Sequence, residues 1–132
     1  MNMNSITIKD ETALGTVLNE TKLDFSSESV TIAEIIKARV AAEVAAYNQK
    51  LPAVFNGLIQ PIAAEKVLNG FKLKKKQLID AEKQMYIALD AFQKNGFFVL
   101  VDNLQADTLE QKVEIRSDTT VSFIKLTPLV GG

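Results

Sequence analysis

The chemistry this chain can offer gathers at one end. The residues Pro128-Leu129-Val130-Gly131-Gly132 finish in a carboxylate carried on two glycines. A carboxylate that must enter a narrow site needs a backbone without side chains, free to adopt extended or left-handed conformations, and glycine provides this at no Cβ cost. Any side chain at Gly131 or Gly132 would obstruct that passage. Gly-rich ends often arise simply through lack of structure, so the pair alone is a weak signal. Its weight comes from position, directly after the strand-like residues 121–126.

Elsewhere the side chains exclude more than they offer. Cys and His are both absent, so a Ser–His–Asp triad, a Cys–His dyad and the usual structural zinc sites cannot be assembled. Carboxylates could still do acid–base work or hold magnesium or calcium. Asp80, Glu82 and Asp90 are the acids to consider. Residues two apart on a helix do not face each other, which favours a solvated face over a metal site. Lys72, Lys74, Lys75 and Lys76 form a basic cluster that could dock on an acidic partner; the plainer reading is a solvated loop ahead of a helix. Four cations near a helix N-terminus oppose its dipole by roughly some tenths of a kcal/mol each, too little to assign a function. The chain is therefore expected to be the substrate of an enzyme rather than an enzyme.

At 132 residues the chain fits one domain. Its 47% hydrophobic and 23% charged content, with mean hydropathy +0.08, argue against wholesale disorder. A net charge of −1 creates no long-range field for phosphate backbones, so nucleic acid is not an expected partner. Apolar runs such as Phe97–Val101 fall far short of the roughly 20 residues that span a bilayer, and no secretory signal opens the chain. A cytoplasmic location without membrane attachment is the expectation.

The elements that must position the tail follow from local patterns. Residues 5–9 alternate polar and apolar, and residues 19–25 alternate less regularly; the two can pair across Leu14-Gly15. Thr31-Ile32-Ala33-Glu34 is a helix start in which Thr31 caps the amide near Glu34 and Val30 can staple against Ile35. Ile36, Val40, Val44 and Tyr47 then share one helical face, and Pro52 stops the helix near residues 48–50. A short helix is expected over residues 62–68, ended by Asn69-Gly70. A second long helix is expected over residues 75–94, with Leu78, Met85, Leu89 and Phe92 on its stripe and Asn95-Gly96 as a left-handed cap. Residues 97–101 read as a buried strand, Asp102-Asn103 as a turn, residues 113–115 as a short strand, residues 117–119 as a turn and residues 121–126 as the final strand.

That order resembles a β-grasp domain with an insertion after its first long helix. The ending is more specific. Phe98-Val99-Leu100-Val101-Asp102-Asn103, a connection through Thr108-Leu109, Val121-Ser122-Phe123 and Thr127-Pro128-Leu129-Val130-Gly131-Gly132 resemble the valine-rich strand, turn, leucine, final strand and P-x-x-G-G ending of molybdopterin-synthase small subunits and the thiamine sulfur carrier. Ser29-Val30-Thr31-Ile32-Ala33-Glu34 is similar to their V-T-V-A-E-L step into the main helix. These are prokaryotic relatives of ubiquitin, and the likeness spans about residues 5–47 and 97–132. Residues from about 50 to 95 have no counterpart in minimal sulfur carriers.

The resemblance implies an α+β fold: a β-grasp (ubiquitin-like) mixed sheet packed on a long helix, with a helical insertion between that helix and the third strand. It implies a single domain over 1–132, with the insertion at about 50–95 and a flexible tail at 127–132. It also implies a partner, a ubiquitin-type activating enzyme that uses its own ATP and magnesium to adenylate Gly132; no cofactor is expected on this chain. Gly131 and Gly132 would be the activated end, with Leu126, Thr127, Pro128, Leu129 and Val130 recognised beside it. Conjugating and deconjugating enzymes would follow for a protein modifier like the bacterial ubiquitin-like ones. A sulfur-transfer enzyme would follow for a carrier bearing a terminal thiocarboxylate. An interaction or scaffold protein with an unreactive tail is the remaining alternative, and the insertion tilts the choice toward a modifier or a specialised carrier.

Overall fold

Alternation at the start of the chain becomes a strand. The computed structural model describes residues 4–67, 70–74 and 77–126. In it, β1 (Asn4–Glu11) buries Ile6, Ile8 and Asp10 on one face. The chain turns through Gly15, whose φ of +89° glycine adopts without strain, and returns as β2 (Val17–Phe25). Ile6 lies opposite Leu23 and Ile8 opposite Thr21, the expected hairpin extended at both ends.

A short strand, β3 (Ser29–Thr31), leads into α1 (Ile32–Lys50). The first amides of an α-helix have no partners within it. Here the Ile32 N–H donates to the Gln111 carbonyl at 3.0 Å and the Ala33 N–H to the Leu109 carbonyl at 3.0 Å. The Glu34 N–H donates to Thr31 Oγ1 at 3.1 Å, which is the cap read from the sequence. Replacing Thr31 with alanine should cost about 1 kcal/mol, measured as a lowered urea midpoint; an unchanged midpoint would show that the cap contributes nothing. Ile36, Val40, Val44 and Tyr47 are all buried, as their spacing requires. The helix ends at Leu51, which has φ +45° and donates its N–H to the Tyr47 carbonyl at 2.7 Å, immediately before Pro52.

The segment beyond Pro52 corrects two expectations. Where a short helix was expected over residues 62–68, Ala64–Val67 form β4, antiparallel to β5 (Gly70–Leu73). Ala, Glu and Lys favour a helix, but their weak preference yields to ladder pairing. Lys66 lies opposite Phe71, with its ammonium 5.4 Å from the ring centroid, and Phe71 exchanges backbone hydrogen bonds of 2.7 and 2.8 Å with Phe55.

The second long helix begins later than residue 75. α2 spans Ala81–Gln93, with Asp80 Oδ1 accepting from the Lys83 N–H at 3.1 Å as its cap. Just ahead, the Asn48 side chain reads the Ile79 backbone in both directions. Its Nδ2 donates to the Ile79 carbonyl at 2.9 Å and its Oδ1 accepts from the Ile79 N–H at 2.8 Å. Leu78 therefore lies outside the helix and is 66% exposed, while Gln84, Ala88 and Phe92 take the buried positions and Met85 and Leu89 are half-buried. Asn48→Ala should lower stability by about 1–3 kcal/mol, because it strips partners from the largely buried Ile79 backbone. Denaturant titration reads this directly, and a change within error would contradict the clamp. The C-terminal cap is as expected, with Asn95 at φ +62° and the Gly96 N–H donating to the Ala91 carbonyl at 2.7 Å.

β6 (Phe97–Val101) turns through Asp102 and Asn103, at φ +47° and +70°, into β7 (Leu104–Gln105). Two consecutive left-handed residues are the signature of a tight hairpin turn. β8 (Lys112–Glu114) pairs antiparallel with β3. The final strand, β9 (Thr120–Lys125), runs parallel to β1 and antiparallel to β6, giving the order β2-β1-β9-β6-β7 in a mixed five-stranded sheet.

A hairpin, a long helix, an inserted segment that includes α2, and a last strand returned to the middle of the sheet beside the first make this an α+β, β-grasp-like fold. The chain divides into two compact units, Met1–Glu34 with Ala91–Gly132, and Ile35–Asp90. In the first, Ile6, Ile8, Phe97, Val99, Val121 and Phe123 form the centre of the core. In the second, Ile35, Ile36, Val40, Val44, Tyr47 and Phe55 are buried, and Tyr47 meets Phe55 edge to face with centroids 5.4 Å apart.

Candidate functional site

The strand that precedes residues 127–132 in sequence is β9. β9 is held on both sides, with Ile124 opposite Glu11 of β1 and Phe98 of β6, and Lys125 opposite Phe97. Alternation places Asp10, Phe123 and Lys125 on one face, since Asp10 pairs with Phe123 and Lys125 lies two residues further on. Lys125 Nζ is 3.7 Å from Asp10 Oδ2, and the Asp10 side chain is 8% exposed. This diagonal pair ties the last turn of the strand ladder to β1. Leu126, the first residue past the strand, is 44% exposed.

Thr127, Pro128, Leu129, Val130, Gly131 and Gly132 lie outside the described residues. The structure describes the chain as far as Leu126. Phe97, the ladder partner of Lys125, lines a cleft of about 370 Å³ together with Phe92, Asn95, Phe98 and Leu109. Polar groups from Gln93, Gln105, Asp107 and Glu110 edge the same cleft.

No known family model, curated protein or solved structure matches this chain.

The basic cluster is seen in part. Lys72 sits opposite Glu65 in the β4–β5 hairpin, and Lys74 follows it with the buried Leu73 between them. Both lysines are exposed, and Lys75 and Lys76 lie outside the described residues. Within the same unit, Leu73, Ile62, Leu78 and Lys83 line a cleft of about 280 Å³. These lysines belong to the second unit and Leu126 to the first.

Among the described residues no group of three or more Asp or Glu is arranged to hold a metal ion. Asp80, one of the acids considered, spends a carboxylate oxygen on its helix cap. Among the described residues no helix is long and apolar enough to cross a membrane.

Three polar positions escaped the sequence reading. Asp10 stands in phase with Ile6 and Ile8, and an acid on a buried phase was the signal available. Glu43 accepts from Arg39 Nε through Oε1 and from the Leu58 N–H at 2.8 Å through Oε2, one turn from a residue that is only 7% exposed. Gln84 is 3% exposed and donates to the Ile59 carbonyl at 2.6 Å. Glu43 and Gln84 join helix side chains to irregular backbone, the role of buried polar groups that hold loops in place. Their partners lie 15 and 25 residues away in sequence, so spacing alone could not pair them.

Proposed function

We propose that this chain is a ubiquitin-like modifier whose reactive group is the carboxylate of Gly132. A partner activating enzyme binds the β-grasp body and draws the tail into its adenylating site. There the Gly132 carboxylate attacks the α-phosphate of ATP, forming the acyl-adenylate and releasing pyrophosphate. An enzyme thiolate then displaces AMP to give a thioester, and a target amine displaces the thiolate to give an amide. The thiol must belong to the partner, since this chain has no Cys, and ATP and magnesium are bound there as well.

The observation that carries this reading is the central, doubly paired β9 ending in the exposed Leu126, with the sequence Thr127-Pro128-Leu129-Val130-Gly131-Gly132 beyond it. Ladders on both sides fix β9 as far as Ile124, and Lys125 is paired with Phe97. Pro128 cannot donate to a ladder, which favours release of the chain beyond β9. Leu126, Leu129 and Val130 supply apolar anchors for a partner groove. The inserted residues supply additional surface, including Lys72 and Lys74, by which partners could distinguish this chain from a minimal carrier.

Chain-dependent exchange of labelled pyrophosphate into ATP, with adenylating enzymes from the same source, tests the activation step. Exchange with at least one such enzyme is expected; exchange with none sinks the proposal. If activation occurs, the mass of the product names the acceptor. Amide linkage to a protein amine supports the modifier, whereas replacement of one carboxylate oxygen by sulfur assigns the chain to sulfur transfer.

A further inference from the structure

β2 is an edge strand of unusual openness. It is nine residues long, contains neither proline nor glycine, and is exposed at every residue from Val17 to Lys22. Proteins usually blunt such an edge with short strands, proline, like charges, a bulge or a covering segment. β2 has a register irregularity only near residues 17–19. Its charges, Glu20, Lys22 and Asp24, alternate in sign, so they can pair with a second strand rather than repel it. Here Val17 is 50% and Leu18 60% exposed, and Leu14 at the hairpin turn is 96% exposed.

The direction of the peptide groups follows from β1. Thr7 donates its N–H to the Thr119 carbonyl, next to β9, so the peptide groups of Ile8 face β2. Thr21, the partner of Ile8, therefore turns its own groups inward, as do Asn19 and Leu23 by alternation. Glu20, Lys22 and Asp24 turn theirs to the open edge.

We infer that β2 pairs antiparallel with β2 of a second copy of this chain, about a twofold axis through Thr21. In that register Glu20 lies opposite Lys22 of the other copy, and Lys22 opposite its Glu20. Both residues carry outward-facing peptide groups, so the two opposite-charge pairs are also the hydrogen-bonded pairs of the new ladder. Thr21 faces its own copy at the close, non-hydrogen-bonded position. Centring the axis on Glu20 or on Lys22 sets like charges face to face. Centring it on Leu23 pairs Lys22 with Asp24 but pushes Glu20 opposite Ser26, beyond the end of the strand. Charge complementarity and length of overlap select the same register, and the contact is isologous, as a closed dimer requires.

The absence of cysteine makes the test direct. In the full chain, Thr21→Cys places two thiols across the twofold axis, where the Cα separation of about 4.5 Å suits a disulfide. Under mild oxidation Thr21→Cys should crosslink to dimer at least tenfold faster than Glu110→Cys, an exposed control, and faster than Glu20→Cys. Equal rates overturn the inference. Sedimentation equilibrium of the unmodified chain should show mass rising toward twice the monomer with concentration. Lys22→Glu or Glu20→Lys should weaken that association tenfold or more, and combining the two should restore it, because each copy then exchanges signs with the other. A monomer at every concentration, single variants that associate like the parent, or a double swap that fails to recover would each overturn the pairing. Both positions are exposed, and circular dichroism of each variant confirms that folding is unchanged.

Discussion

Phe123→Ala is expected to destabilise the chain by about 3–5 kcal/mol, the largest effect of any single truncation considered. Phe123 is fully buried in the middle strand of the sheet, opposite Asp10 on one side and Val99 on the other. Its ring lies 5.9 Å from Phe97, which in turn lies 6.0 Å from Phe92, so one truncation opens a cavity among three aromatic residues. Folded proteins command only about 5–15 kcal/mol in total, so the variant loses a large share of its stability. Denaturant unfolding followed by far-ultraviolet circular dichroism reads the change. As a comparison, Leu104→Ala, at a side chain 75% exposed, should shift stability by no more than about 0.5 kcal/mol. Equal effects at the two positions would contradict the assignment of β9 as the centre of the core. The same strand bears the tail, so Phe123→Ala should also impair activation, but only to the extent that the chain is unfolded.

Gly131→Val separates the tail from the body. Stability should be unchanged, because the substitution lies beyond the paired strand. Activation should fall by about 100-fold or more, because a branched side chain both obstructs a narrow channel and misplaces the carboxylate, and a displacement of about 1 Å at a reacting group can carry that cost. Pyrophosphate exchange measures the loss, while the denaturation midpoint controls for folding. Exchange at the parent rate would show that the glycines are not read by the activating enzyme.

Legibility differed by kind of interaction. The first hairpin, the start and stop of α1, the left-handed end of α2 and the strands β6 and β9 were all readable, because each is announced within a few residues: alternation, Thr31, Pro52, Asn95-Gly96, or an unbroken apolar run. β4 was not readable. Its residues Ala64-Glu65-Lys66-Val67 prefer a helix, and what makes them a strand is Phe71 and the bridge from Phe55, a contact that composition does not announce. The start of α2 was misplaced for a related reason. Asn48 lies 31 residues before Ile79 and holds that backbone outside the helix, although Asp80, a residue type favoured at helix N-caps, was a local cue.

For the site, the sequence supplied the Gly-Gly tail and its order after the last strand. The Asp10–Lys125 tie and the cleft beside Phe97 required the fold, since they join residues from opposite ends of the chain and from the turn after α2.

Activation of Gly132 is read by trapping its activated carboxylate. The chain is incubated with an adenylating enzyme that supports exchange, with ATP, magnesium and hydroxylamine, which converts an acyl-adenylate or thioester to a hydroxamate. The product is then digested and mapped by mass spectrometry. The hydroxamate is expected on the peptide ending in Gly132 and on no other. Modification at an Asp or Glu side chain, or ATP turnover with Gly132 unmodified, would contradict activation at Gly132.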